Sequence, residues 1–217
     1  MELALLYSGG KDSSLAALLL DSFYDVTLVT AHFGATDDWK HAARAAESLG
    51  YPFETVELDE AVAAEAIDRM LADGYPRNGI QRVHEHALET VAELGDDASE
   101  ANGSSSNSLR SSDGVAAVAD GTRRDDRVPT VSRAQAQSLE DRHGVDYLAP
   151  LSGFGRRAVD RLVASTLAVE SGPSESIPKS DYEGELRHLL GERHGPEAVA
   201  EVFPAHEQTY VRGRRGD

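Results

Sequence analysis

Apolar positions fall in short, regularly spaced blocks. Met1 to Tyr7 is an almost unbroken apolar run, the pattern of a strand buried on both faces in a parallel sheet. The polar segment Ser8–Ser14 follows, and then the run Leu15–Leu20, which predicts a helix. Asp25–Ala31 reads as a second strand running into His32-Phe33-Gly34. Ala42, Ala45, Ala46 and Leu49 give a helix closing at Gly50, and Phe53–Leu58 is a third strand. Asp59 is placed to cap a helix with Val62, Ala66, Met70 and Leu71 inward. A turn over Tyr75–Gly79 precedes a further helix carrying Ile80, Val83, Ala87, Val91 and Leu94. Strand and helix alternating in this way call for a parallel sheet.

Residues 95–113 have no periodicity and almost no apolar content, which predicts a flexible surface insertion. The sheet pattern resumes with Gly114–Ala119. Ser132 and Gln135 form a capping box for a helix, Val145–Pro150 is a fifth strand, and Gly155–Ser171 predicts a helix with Val159, Leu162, Val163 and Thr166 inward. The chain then changes character. A loop runs to Ser180, which with Glu183 reads as a second capping box over Leu186, Leu189 and Leu190. A short helix from Pro196 ends at Phe203-Pro204, and Gln208–Gly213 reads as a late edge strand. The expected organisation is one α/β domain over residues 1–170 and a small C-terminal helical extension over 171–217.

The polar segment Ser8-Gly-Gly-Lys-Asp-Ser-Ser14 carries the chemistry. Two glycines between strand and helix let the backbone approach a bulky anion, and the following helix aims its free N–H groups and positive dipole end at it. Lys11 adds a cation, Ser8, Ser13 and Ser14 add hydroxyls, and Asp12 is a carboxylate suited to Mg²⁺. The spacing excludes a Walker A loop and a dinucleotide G-x-G-x-x-G loop. A second charged loop, Asp120-Gly-Thr-Arg-Arg-Asp-Asp-Arg127, lies beyond the fourth strand. His84 and His86 stand two apart on one helix, the wrong spacing for a shared metal, and His84 reads as a partly buried hydrogen-bonding residue.

Charge sharpens the picture. The net charge of −17, from 38 acidic and 21 basic residues, argues against a broad nucleic-acid-binding face. Lysine occurs only at positions 11, 40 and 179, a composition that resembles proteins of salt-loving archaea. Eight of the arginines nevertheless cluster between Arg123 and Arg161, among them Arg156-Arg157 at a helix start. Together with Lys179 these are candidates to clamp pyrophosphate or an anionic substrate. Cysteine is absent, which excludes disulfides, Cys-ligated zinc and a persulfide carried on this chain. An 18-residue apolar run is absent too, and the core strand begins at the second residue; the expectation is a cytoplasmic protein without a membrane partner.

The Ser-Gly-Gly-x-Asp-Ser loop resembles that of the PP-loop (N-type) ATP pyrophosphatases of the adenine nucleotide alpha hydrolase-like superfamily. The resemblance is strong over residues 1–35, moderate over 114–170 and general elsewhere. It implies a doubly wound α/β/α sandwich with a five-stranded, mostly parallel sheet in the order 3-2-1-4-5. Its strand order reverses between the first and fourth strands, where ligands of open parallel sheets bind. It implies an enzyme cleaving ATP to AMP and pyrophosphate with Mg²⁺, adenylating a carboxylate or a base carbonyl for attack by an amine or by sulfur. ATP would lie on Ser8, Gly9, Gly10, Lys11, Asp12, Ser13 and Ser14. Its adenine would meet Ala31, His32 and Phe33 at the end of the second strand, and its ribose and phosphates Gly121, Thr122 and Arg123. Lys11, Asp12, Asp125 and Asp126 are the implied catalytic residues, with Asp12 and Asp126 on Mg²⁺. Arg124, Arg156, Arg157 and Lys179 are left for pyrophosphate or substrate.

The cysteines of persulfide-carrying thiouridine synthetases and the zinc-binding cysteines of deazaguanine-nitrile synthases are missing. Sulfur, if used, must come as sulfide or on a donor protein. The acceptor is open between a small molecule and tRNA, with Arg212, Arg214 and Arg215 as possible phosphate contacts. A non-catalytic nucleotide sensor of universal-stress-protein type is the competing reading, although its glycine signature lies late in the chain.

Overall fold

A computed structural model describes residues 1–96, 114–178 and 180–216. The predicted insertion falls mainly on residues outside these, as does Lys179. The elements run β1 (Glu2–Leu6), α1 (Lys11–Leu20), β2 (Asp25–His32), α2 (Trp39–Leu49), β3 (Phe53–Glu57), α3 (Glu60–Asp73) and α4 (Arg77–Asp96). They continue with β4 (Ala117–Ala119), α5 (Arg133–His143), β5 (Asp146–Leu148), α6 (Arg156–Thr166), β6 (Leu167–Pro173), α7 (Tyr182–His194), α8 (Pro196–Val202) and β7 (Glu207–Arg214).

The main sheet has the order β3-β2-β1-β4-β5, every pairing parallel. Leu3, Ala4 and Leu5 of β1 are fully buried, which is why the central strand reads as an uninterrupted apolar run. Because side chains alternate along a strand, Leu3 and Leu5 pack on one face with α1, α2 and α6. Ala4 and Leu6 pack on the other with α3, α4, α7 and α8. The predicted capping box is present, Ser132 Oγ accepting from Gln135 N and Gln135 Oε1 from Ser132 N.

Four expectations change. Residues 77–79 belong to α4 and not to a turn. Helix α6 stops at Thr166, and the chain continues as β6, which pairs antiparallel with β7 in a second small sheet. Val169 and Val211, opposite one another in that ladder, fit a pleated strand better than another helical turn. The C-terminal region is therefore helical and stranded together. Finally, the cap of α7 is Asp181, whose Oδ1 accepts from Gly184 N at 3.1 Å. Ser180 instead ties the region to α2, accepting from Ala42 N at 2.9 Å and donating to Asp38 O.

Glu185 of α7 is the strongest of these ties. It is buried, and its carboxylate accepts from the backbone N–H groups of Phe33 (2.7 Å), Ala35 (3.0 Å) and Thr36 (3.4 Å). The chain leaving β2 is thus held by a side chain from the far end of the sequence.

Candidate functional site

A cavity of about 340 Å³ opens at the carboxyl ends of β1 and β4, where the strand order reverses. One wall is the start of α1. Gly9 turns the chain with φ +77°, a conformation that favours glycine. Gly10 is the N-cap and provides no side-chain cap of its own; Lys11 N, in the first turn, is met by Thr209 Oγ1. Ser8, Gly10, Lys11, Asp12 and Ser13 all line the cavity. Ser8 Oγ lies 3.4 Å from both Gly10 N and Ser13 Oγ. Ser14 is not part of this wall: it is fully buried, its hydroxyl 3.0 Å from that of Tyr7.

The opposite wall is the loop after β4. Gly121 rests directly on α1, where an added Cβ would lie 2.7 Å from Ser13 N and 2.9 Å from Ser13 Cα. Thr122 and Asp126 face the cavity. Arg123 binds Asp126 through its backbone N–H (2.7 Å) and its guanidinium (Nε 3.0 Å, Nη2 2.5 Å), and its Nη1 lies 3.6 Å from Asp12 Oδ2. Lys11 Nζ contacts Asp12 Oδ1 at 2.8 Å and Asp160 Oδ1 at 3.1 Å. Lys11, Asp12, Arg123 and Asp126 thus form one chain of alternating charge between helix and loop.

Other predicted site residues make contacts outside this network. Asp125 accepts from Arg156 N at 2.9 Å, capping α6, and that bond holds its carboxyl below the usual range. Arg156 reaches Asp160 (3.8 Å), while Arg124 and Arg157 are exposed away from the cavity. Ala31 lines the cavity, but His32 stacks on Trp39 and Phe33 is a core residue whose N–H is taken by Glu185. The terminal arginines are engaged internally: Arg212 with Glu170, Arg214 over the Tyr51 ring, and Arg215 with Ala164 O.

The floor is Asp120, only 1 % exposed. It accepts four hydrogen bonds: His84 Nε2 (2.9 Å), Tyr147 OH (2.9 Å), Thr122 N (2.9 Å) and Thr122 Oγ1 (2.7 Å). Burial alone would raise the carboxyl's pKa; the bonds from His84 and Thr122 outweigh it and leave Asp120 below its ordinary value. A carboxyl depressed on folding contributes stability that is present above its unfolded value, near about 3.9, and is lost as pH falls through its lower folded value. Urea melts from pH 6 down to pH 2 should therefore show a steeper loss for the native protein than for Asp120→Asn. Equal slopes would refute this role.

The third wall comes from the C-terminal region: Ser180–Glu183, His206, Gln208 and Thr209. Thr209 Oγ1 accepts from Lys11 N at 3.3 Å, Val211 N donates to Gly9 O at 2.9 Å, and Gln208 Nε2 donates to Asp181 Oδ2 at 2.5 Å. None of these residues was read as a site residue from the sequence, and neither were Ile80, Val128 and Pro129, which also line the cavity; Asp120 stood in the charged loop 120–127 without a role of its own. The one available signal was Asp120, an acid ending an apolar strand.

Over residues 1–213 the sequence matches the model of DUF7411, a family of unknown function. The chain belongs to that family. It is 37 % identical over 214 residues to an uncharacterized protein of Methanocaldococcus jannaschii, covering 98 % of this chain and 96 % of the relative. A crystal structure from the same organism, described as a predicted subunit of tRNA methyltransferase, superimposes with a TM-score of 0.82 at 35 % identity, covering all of both chains. The doubly wound sheet and the small β6–β7 sheet thus belong to a fold shared with that structure across the DUF7411 chain's whole length. No helix among the described residues is long and apolar enough to cross a membrane.

Proposed function

We propose that this DUF7411 chain is an ATP pyrophosphatase of the PP-loop type, acting in tRNA modification. The observation that carries the reading is the glycine-capped first turn of α1 facing Gly121 and the Asp12–Arg123–Asp126 network across one cavity. A triphosphate seated there meets the backbone N–H groups and dipole of α1 and the Ser8 and Ser13 hydroxyls. Lys11 exchanges a carboxylate partner for a phosphate oxygen. Arg123 is poised to do the same, neutralising charge that grows on the leaving pyrophosphate. No side chain need attack, so catalysis is positioning and charge stabilisation.

The donor set suits magnesium. This ion takes one or two carboxylates and completes its shell with water and phosphate oxygens. Asp12 and Asp126, on either side of Arg123, are the residues that would hold it. Among the described residues there is no cluster of three or more such ligands, so the ion would be shared with the nucleotide. When bound it would supply further neutralisation of the charge that grows on the leaving pyrophosphate.

Support for a tRNA acceptor comes from the solved relative, itself described as a predicted subunit of tRNA methyltransferase. Arg124 and Arg127 are exposed on the loop after β4, and Arg157 is exposed in the first turn of α6. They offer phosphate contacts that the occupied terminal arginines do not. With no cysteine in the chain, a sulfur or amine nucleophile would be supplied by a separate donor.

The test is release of pyrophosphate and AMP from MgATP with total tRNA as acceptor, in high salt. Release should depend on magnesium and drop by at least about a hundredfold in Asp12→Ala, the scale expected for removing a charge-stabilising group. Formation of ADP and phosphate would overturn the reading. Tight ATP binding without turnover would favour a nucleotide sensor instead.

A further inference from the structure

Asp120 and His84 form a buried acid–histidine pair that phosphate binding alone does not require. The pair sits next to the cradle: Gly121, whose backbone rests on Ser13, is the neighbour of Asp120, and both Asp120 and His84 line the same cavity as Gly10 and Asp12. Since Asp120 is an acceptor, His84 Nε2 carries the proton of the 2.9 Å bond between them. That fixes the tautomer and leaves Nδ1 as the basic atom, and Nδ1 has no hydrogen-bond partner among the described residues. The ring is held from the other side by the Tyr182 ring, in an edge contact at 6.1 Å. His84 as a whole is only 4 % exposed, and the surface it keeps lines the cavity.

We propose that His84 is the general base of this site, positioned by Asp120, and that the acceptor it serves is a lactam, with an N–H beside the carbonyl oxygen that attacks ATP. The proposal rests on the ATP-pyrophosphatase reading above and narrows its acceptor. A carboxylate acceptor is already anionic at neutral pH and needs no base. A nucleobase lactam is a poor oxygen nucleophile until its N–H proton leaves. As that N–H bond breaks, its proton passes to His84 Nδ1 and its electron pair shifts through the ring to the oxygen. The oxygen forms a bond to the α-phosphorus, and the bond from that phosphorus to the bridging oxygen breaks. Pyrophosphate departs with the electron pair. Asp120 then faces an imidazolium and stabilises it. The other titratable groups near the ring are the Tyr182 hydroxyl of α7 and, through Asp120, the Tyr147 hydroxyl of β5. Burial pushes both up, so they stay protonated through the working range.

The full-length chain is assayed for pyrophosphate release from MgATP with either total tRNA or a mixture of simple carboxylates, across pH. His84→Gln retains an amide donor for Asp120 but cannot take up a proton. It should keep ATP affinity within about twofold while tRNA-driven release falls roughly 10²- to 10⁴-fold, the usual worth of a general base. The acid limb of the pH–rate profile should vanish with it. Tyr147→Phe, which removes a donor from the same carboxylate without touching His84, should keep that limb. A His84→Gln enzyme with native rate and native acid limb overturns the base while leaving the pyrophosphatase reading intact. So does release driven by carboxylates and not by tRNA, or a wild-type profile without an acid limb, which needs no variant at all. Absence of pyrophosphate with either acceptor overturns the underlying reading and the base with it.

Discussion

Replacing Gly121 by alanine should separate the two halves of the site. The new methyl carbon would sit 2.7 Å from Ser13 N, 2.9 Å from Ser13 Cα and 3.0 Å from Asp12 C, all backbone atoms of the first turn of α1. A side-chain tip can swing aside, but a helical turn packed on a buried parallel sheet cannot. The loop must lift instead, carrying Thr122, Arg123 and Asp126 away from the helix. Overpacking of this kind costs about 1–3 kcal/mol. The larger consequence is functional, because the Arg123 link between Asp126 and Asp12 spans the same gap. ATP affinity is expected to fall at least about tenfold, the loss of one good charge-assisted contact being worth roughly 1.5–3 kcal/mol. Urea denaturation and ATP titration of the variant measure the two effects separately. Native affinity in a folded variant would show that the loop does not need to touch α1.

The contrast between Gly121 and Ser14 shows what a local motif conveys. The Ser8–Ser14 segment predicted an anion cradle from its glycines, its lysine and the helix that follows, and the geometry of Gly9, Gly10 and α1 has that form. Within the segment, however, Ser13 faces the cavity and Ser14 faces Tyr7, one residue later on the helix and so on another side. A string of hydroxyls does not say which of them points where. The parallel sheet was legible for a simpler reason: strands buried on both faces read as continuous apolar runs, and Leu3–Leu6 could be little else, while the strand order came from the resemblance. The pair Asp125-Asp126 looked alike in sequence, yet one caps α6 and the other faces the cavity, a division made by Arg156 at the start of α6.

The third wall was illegible because its determinants are distant in sequence. Residues Ser180–Glu183 and His206–Thr209 come to the site through contacts with α1 and α2 that no periodicity records: Thr209 to Lys11, Ser180 to Ala42, Tyr210 OH to His41 O. The helix predicted through Ser171 failed for the same reason. Leu167–Pro173 becomes a strand because β7 returns to pair with it, and a partner that arrives late in the chain leaves no local mark.

Glu185 turns this dependence into a measurable expectation. Its carboxylate is the common acceptor for the N–H groups of Phe33, Ala35 and Thr36, where the chain leaves β2. In Glu185→Ala the Phe33 N–H, in buried surroundings, loses its partner outright, and the other two lose theirs in partly buried ones. A buried donor left unsatisfied costs about 1–3 kcal/mol, so the three together should lower stability by roughly 2–4 kcal/mol once water reaches the outer pair. Glu185→Gln retains one acceptor oxygen in the same place and should lose about half as much. The urea midpoints of the two variants test the size of the effect, and amide exchange tests its location: protection should fall first at residues 33–36 and spread to α7. A loss under about 1 kcal/mol in Glu185→Ala, or exchange confined to α7, would show that β2 and its loop stand without the clamp. The expected outcome makes the C-terminal region a structural condition of the site, because the segment that closes one wall of the cavity also anchors the end of β2, whose Ala31 lines it.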